Sequence, residues 1–121
     1  MSIKQLFAKK WAKRVVNSTN KWAQNPIATQ EKVLKMLLQK AKKTAFGQDH
    51  GFAQIENYED FAKQVPIRDY EGLRPYVDRV VAGEADILWP GKPRYFSKTS
   101  GTTSGVKYIP ISKESMPTHI K

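Results

Sequence analysis

Cysteine is absent from the 121-residue chain, which excludes disulfides, thiolate metal sites and cysteine nucleophiles. Histidine is scarce, with only His50 and His119, too few for a multi-histidine centre, so no protein-held metal site is expected. No apolar run approaches the roughly 20 residues that span a bilayer. Lys9, Lys10, Lys13 and Arg14 interrupt any apolar core that a secretory signal would need. Acidic residues are missing from the first 30 positions, as in mitochondrial presequences, but those are rich in arginine and this stretch has Arg14 alone among lysines. A cytoplasmic location is expected.

What the chain does have is an ordinary globular composition, 40% apolar and 26% charged, with a formal net charge of +10. That charge is unevenly placed. Residues 1–50 carry eleven Lys or Arg against Glu31 and Asp49, whereas residues 51–121 carry ten against nine acids. A basic first part therefore precedes a nearly neutral second part, and the two are expected to do different jobs.

Spacing predicts a helix over 3–23, with Ile3, Leu6, Phe7, Trp11, Val15 and Trp22 in one apolar stripe. Asn25-Pro26 is a break and restart, since proline suits a first helical position. A second helix is expected from Ile27 to Thr44, with Val33, Leu34, Leu37, Leu38 and Ala41 on one face and Gly47 as its stop. The matching stripes and short connection predict a helical hairpin. Gly47–Asn57 reads as a loop, followed by helices at Tyr58–Gln64 and Asp69–Ala82, with Pro75 a candidate break in the second. The aromatics Tyr58, Phe61, Tyr70, Tyr76 and Trp89 are read as packing these helices together, and His50 as a hydrogen-bonding loop residue. Asp60, Asp69 and Asp78 form no converging carboxylate pair, and surface ion pairs explain Arg68 and Arg94 as well as anionic ligands do.

The texture changes at Ile87-Leu88-Trp89, followed by the turn Pro90-Gly91-Lys92-Pro93. Short strands are expected at Tyr95-Phe96 and Tyr108–Ile111, with a further helix capped by Ser112. Two short strands need further partners to form a stable sheet, so the chain reads as the N-terminal piece of a longer protein. A small helical domain with a terminal hairpin is the alternative.

Between those strands lies Thr99-Ser100-Gly101-Thr102-Thr103-Ser104-Gly105-Val106-Lys107. Glycines allow a tight backbone turn with inward N–H groups, and small hydroxyls donate to anionic oxygens, so the composition suits phosphate. Lys107 adds charge at the rim. The stretch is neither a Walker A loop nor a dinucleotide fingerprint. A flexible Ser/Thr/Gly linker is the plainer reading.

The nonapeptide resembles the phosphate loop of the adenylate-forming superfamily, usually [ST]SGTTGxPK. Here Ser104 stands where glycine is expected, Gly105 comes one place later and Val106 replaces proline. With its flanking text the chain resembles the Gretchen Hagen three family, acyl-acid amido synthetases first known as auxin-responsive plant proteins, with bacterial relatives. The stretches carrying this are Thr44–Gly47, His50-Gly51-Phe52, Tyr58–Phe61, Val65–Tyr70, Leu73–Tyr76, Ile87–Pro93 with Phe96, the loop itself, and Lys107–Pro110.

The resemblance implies the N-terminal fragment of a bacterial-type member. Its fold would be α+β and mainly helical: a basic helical hairpin (1–46), a loop with short helices (47–86), then strand, phosphate loop, strand and the start of a helix (87–121). Together these would form part of a larger α/β adenylate-forming N-terminal domain. The implied activity is an ATP-dependent ligase that adenylates a small carboxylic acid and passes the acyl group to an amine or amino acid. Thr99, Ser100, Gly101, Thr102, Thr103, Ser104, Gly105 and Lys107 would bind the ATP phosphates with Mg²⁺ sharing their charge. Residues for adenine, ribose and the acyl pocket lie further along in the family, so the fragment alone is expected to be inactive. A conventional acyl-CoA synthetase, using a thiol acceptor, is a second enzyme reading, against which the Ser104-Gly105-Val106 departure argues. The basic helices raise a reading of another class, binding to nucleic acid or an anionic membrane surface, although no nucleic-acid-reading motif is present.

Overall fold

In a computed structural model, which describes residues 2–101 and 105–119, the chain divides into two units, Met1–Leu34 and Lys35–Lys121. Helix α1 spans Ile3–Ala23 and begins with a capping box. Ser2 Oγ accepts from the Gln5 backbone N–H (3.3 Å) while Gln5 Oε1 accepts from the Ser2 N–H (2.8 Å), so two otherwise unsatisfied donors are paired reciprocally. Helix α2 spans Pro26–Ala41, and proline starts it as the break at Asn25-Pro26 predicts.

No residue of α1 is buried, and Phe7 and Trp11 are 69% and 64% exposed. Gln24 and Asn25 connect α1 to α2, Gln24 keeping right-handed helical dihedrals (φ −72°, ψ −21°) and the Asn25 N–H donating to Trp22 O (3.2 Å).

In the second unit, the C-terminal turns of α2 contribute Leu38 and Ala41 to the core. The helix ends at Ala41 rather than Thr44, because Thr44 has another task. Its buried hydroxyl donates to the Ala41 carbonyl (2.7 Å) and accepts from the Gly47 N–H (3.0 Å), closing one helix and capping the next, α3 (Ala45–Asp49). Gly47 is therefore a buried residue inside α3, not a stop. A Cβ there would collide with the Ala41 carbonyl oxygen, so only glycine permits the close turn. The N-terminal amides of α3 find partners far along the chain: Ala45 N–H donates to Asp86 O (2.8 Å) and Phe46 N–H to Ile87 O (3.0 Å).

The segment expected as a loop after Gly47 thus holds α3 and a 3₁₀ turn at Phe52–Gln54, joined by Gly51 with φ +60°. Helix α4 (Tyr58–Gln64) has the expected bounds, capped by Asn57 and ended at Val65-Pro66. Helix α5 (Tyr70–Val81) is capped by Asp69 and ends before Gly83 at φ +91°. Pro75 does not break it. Proline removes one intrahelical donor, and the helix runs on through that position, with Arg74 reaching Glu71 (Nη2 to Oε1, 2.8 Å) one turn earlier.

An aromatic cluster ties α3, the 3₁₀ turn, α4 and α5. Phe46 stacks on His50 at 4.0 Å between ring centroids and meets Tyr76 edge-on at 5.0 Å, and Phe52 lies 6.3 Å from Phe61. Such pairs contribute beyond their buried area. His50 is buried, with Nδ1 2.7 Å from the Phe46 carbonyl oxygen, so it is a hydrogen-bonding structural residue as expected, with the proton on Nδ1. Tyr58 departs from the expectation: it is 67% exposed and packs nothing together. Ile55, Val77, Val80 and Ile87 are buried as well.

The segment after α5 closes on itself. Asp86 N–H donates to Gly91 O (3.0 Å), and Asp86 Oδ1 accepts from the Gly91 N–H (2.7 Å). Asp86 adopts φ +58°, a region that aspartate tolerates better than most side chains. Two strands follow, β1 (Tyr95–Thr99) and β2 (Lys107–Ile111), paired antiparallel. The helix expected from Ser112 begins later, as α6 (Met116–His119). Ser112 instead caps a preceding turn, its hydroxyl accepting from the Ser115 N–H (3.2 Å).

Candidate functional site

Register places the hydroxyl-rich stretch at the tip of the β1–β2 hairpin. Tyr95 pairs with Ile111, Ser97 with Ile109, and Thr99 with Lys107. The last pair closes the base of the loop. Pro110 lies opposite Phe96 and two residues from Tyr108, whose N–H points away from β1. Alternation gives residue 110 the same outward direction, so its missing donor takes nothing from the ladder.

That outward edge is held by α5. The Tyr70 hydroxyl accepts from the Tyr108 N–H (2.8 Å) and donates to the Tyr108 carbonyl (3.3 Å), replacing the strand that would otherwise pair there. Asp69 sets the start of α5 through its Oδ1, which accepts from the Gly72 N–H (2.9 Å), and this puts Tyr70 in the first helical position. The Tyr70 ring also carries two cations: Lys107 Nζ at 5.5 Å and the Arg74 guanidinium at 5.7 Å from its centroid.

The loop's two glycines approach each other closely. A Cβ on Gly101 would run into the Gly105 carbonyl oxygen, and Gly105 has φ +79°. The turn also folds back locally, Gly101 N–H donating to Thr99 O (3.1 Å). Thr99, Gly101 and Lys107 are half-buried, whereas Ser100 and Gly105 are exposed. Thr102, Thr103 and Ser104 lie outside the described residues. The structure therefore brings Thr99 to Lys107 and Gly101 to Gly105. Lys107 lies against the Tyr70 face at the loop's base.

Tyr70 is the residue that sequence reasoning placed in the wrong role. It was expected to pack helices, yet its partner is a backbone 38 residues away. Periodicity carries no signal for such a contact. Among the described residues no group of three or more His, Asp or Glu converges as a metal site, and no helix is long and apolar enough to cross a membrane. Beside the hairpin, a cavity of about 280 Å³ is lined by Val80, Ile87, Trp89, Pro93, Pro110 and Ser112. Trp89 Nε1 donates to Glu114 there (3.2 Å), and the Glu114 carboxyl is held below its usual range by a backbone hydrogen bond and by that indole donor.

Comparison with known proteins bears on the same region. Residues 15–121 match the GH3 family N-terminal domain. An indole-3-acetic acid-amido synthetase, GH3.15, of Arabidopsis thaliana is 32% identical over 93 residues, covering 75% of this chain and 16% of the relative. A jasmonoyl-L-amino acid synthetase, JAR6, of Nicotiana attenuata is 34% identical over 89 residues, 72% of this chain and 15% of the relative. A 4-substituted benzoates-glutamate ligase, GH3.12, of Arabidopsis thaliana is 44% identical over 48 residues, 39% of this chain and 8% of the relative. The chain thus spans a small fraction of the length of the curated relatives it matches. With the greater part of its length matched, the chain belongs to the GH3 family through that family's N-terminal domain.

Proposed function

We propose that this chain is part of an ATP-dependent acyl-acid amido synthetase and that its β1–β2 hairpin tip holds the nucleotide's phosphates. The names of the relatives, amido synthetases and a ligase, support the conjugating class. The observation that carries the phosphate assignment is the Gly101–Gly105 approach, where the backbone occupies space that a side chain would fill. Close main-chain packing of this kind is what turns that face N–H groups toward anionic oxygens require.

In the proposed reaction a carboxylate oxygen of the acid attacks the α-phosphorus of ATP and pyrophosphate departs. An amine nitrogen then attacks the acyl carbon, forming the amide and releasing AMP. The first step is needed because a carboxylate is a poor acyl donor until its oxygen belongs to a good leaving group. The backbone of Thr99–Gly105 and the hydroxyls of Ser100, Thr102 and Thr103 would bind the β- and γ-phosphates and stabilise the charge developing on pyrophosphate. Mg²⁺ suits this arrangement as an ion held mainly by phosphate oxygens, and when bound it would neutralise part of their charge. Lys107 contributes longer-range positive potential while fixing the loop's base. The chain covers 16% of GH3.15, and turnover belongs to the full-length protein, not to residues 1–121 alone.

The test is acid-dependent ATP–pyrophosphate exchange by the full-length protein, with Ser100→Ala/Thr103→Ala alongside. The double variant is expected to raise the KM for ATP and slow exchange. Exchange unchanged in that variant removes both hydroxyls from the site, and no exchange with any carboxylic acid overturns the ligase reading.

A further inference from the structure

We propose that α1 docks flat on the surface of an anionic lipid bilayer. Phe7, Trp11, Val15 and Trp22 recur at spacings of four and seven, which places them on one side of a helix. All four are exposed, Phe7, Trp11 and Trp22 each by more than half. Lys9 and Lys13, and then Lys10, Arg14 and Lys21, recur at fours and sevens around the remaining surface. No acidic residue occurs before Glu31, and the ion pairs among the described residues, Arg74–Glu71 and Arg79–Glu84, lie elsewhere.

Two further observations choose the occupant. The family match begins at residue 15, so Phe7, Trp11 and the cations from Lys4 to Lys13 lie outside the stretch aligned with the family's N-terminal domain. Charge complementarity then selects an anionic surface, and the aromatic stripe selects lipid over nucleic acid. Binding to a nucleic-acid duplex uses the cations but leaves Phe7, Trp11 and Trp22 in water, whereas a bilayer takes both sides of the helix at once. Tryptophan favours the headgroup level, and lysine stems can lie along the apolar boundary with their ammonium groups in the phosphate layer. No helix among the described residues qualifies to cross the membrane, so α1 lies on it.

The experiment is co-sedimentation of the full-length protein with vesicles of phosphatidylcholine alone and of phosphatidylcholine mixed with phosphatidylglycerol. Binding is expected on the anionic vesicles, weakened by salt, with a blue shift of tryptophan emission. Lys9→Ala/Lys13→Ala should weaken it roughly 30-fold, while Lys9→Arg/Lys13→Arg should retain it. Phe7→Ala/Trp11→Ala should weaken it about tenfold or more; these exposed positions carry no buried contact, so far-ultraviolet dichroism should be unchanged. Failure to bind anionic vesicles, or equal binding to phosphatidylcholine alone, overturns the proposal. So does retention that survives loss of Phe7 and Trp11, or binding to duplex DNA in place of vesicles. These readouts need neither ATP nor an acid substrate, and stand or fall separately from the ligase assignment.

Discussion

Tyr70 and Tyr108 join the start of a helix to the edge of a strand through one hydroxyl, which accepts from the Tyr108 N–H at 2.8 Å and donates to its carbonyl at 3.3 Å. A two-stranded hairpin is marginal by itself. This bond pair gives β2 a second neighbour without a third strand, immediately beside Lys107 and the loop.

Tyr70→Phe is therefore expected to destabilise the fold by about 1–2 kcal/mol, since it removes two hydrogen bonds and leaves a part-buried backbone N–H and carbonyl without their partner. The ring remains, so Lys107 keeps its aromatic face. Urea unfolding measures the change. An unaltered midpoint would mean that water serves the Tyr108 backbone equally well.

Gly47 yields a larger expected effect. Alanine there meets the Ala41 carbonyl oxygen, with Lys42 Cα at 3.1 Å, and neither is the end of a flexible side chain. Gly47→Ala should cost about 3 kcal/mol or more, against about 1–2 kcal/mol for loss of the neighbouring cap in Thr44→Ala. Thermal unfolding of the two variants checks the order, and the reverse order would show that the α2–α3 corner gives way easily.

These two sites show what could and could not be read from the residues. Helix α4 was legible because Asn57 and Val65-Pro66 mark both ends locally, and α5 because Asp69 and Gly83 do the same. Helix α3 was not, since five residues are too few to show a period and Gly47 looks like punctuation until the Ala41 carbonyl is seen against it. The α1 stripe was legible as a stripe, but whether a partner covers it depends on three-dimensional placement. Within the loop, Gly101 and Gly105 announced a tight turn through composition alone. The Tyr70 contribution stayed hidden because hydrogen bonding over 38 residues leaves no mark in spacing.

Alkaline titration should single out Tyr76. Burial raises its phenol above the ordinary tyrosine value of 10.0, and the Asp49 carboxylate, accepting its proton at 2.7 Å, raises it further, with Arg68 opposing. A raised folded-state value means that the folded chain holds this proton more tightly than the unfolded chain. The associated stability is present below pH 10.0 and is lost as pH rises through the folded value. Tyrosinate absorbance should therefore show a late component that disappears in Tyr76→Phe, together with a shallower alkaline loss of stability. A titration curve that keeps its late component in that variant would assign it to another tyrosine.

Gly101 is the sharpest probe of the loop. In Gly101→Ala the new Cβ must push against the Gly105 carbonyl oxygen, so the close approach of residues 101 and 105 must open. If the proposed ligase reading holds, full-length protein carrying this change should lose acid-dependent ATP–pyrophosphate exchange on the order of a hundredfold, the effect expected when binding groups shift by about 1 Å. Gly91→Ala is the matched control. Gly91 also has a positive φ (+76°) but nothing lies within 4 Å of a Cβ there, so alanine introduces left-handed strain of about 1–2 kcal/mol without a collision. If loss of exchange reflects general weakening of the fold, both variants should lose it in proportion to their unfolding midpoints. If it reflects the cradle, Gly91→Ala should retain near-normal exchange at equal or greater loss of stability. Wild-type exchange in Gly101→Ala would remove the hairpin tip from nucleotide binding.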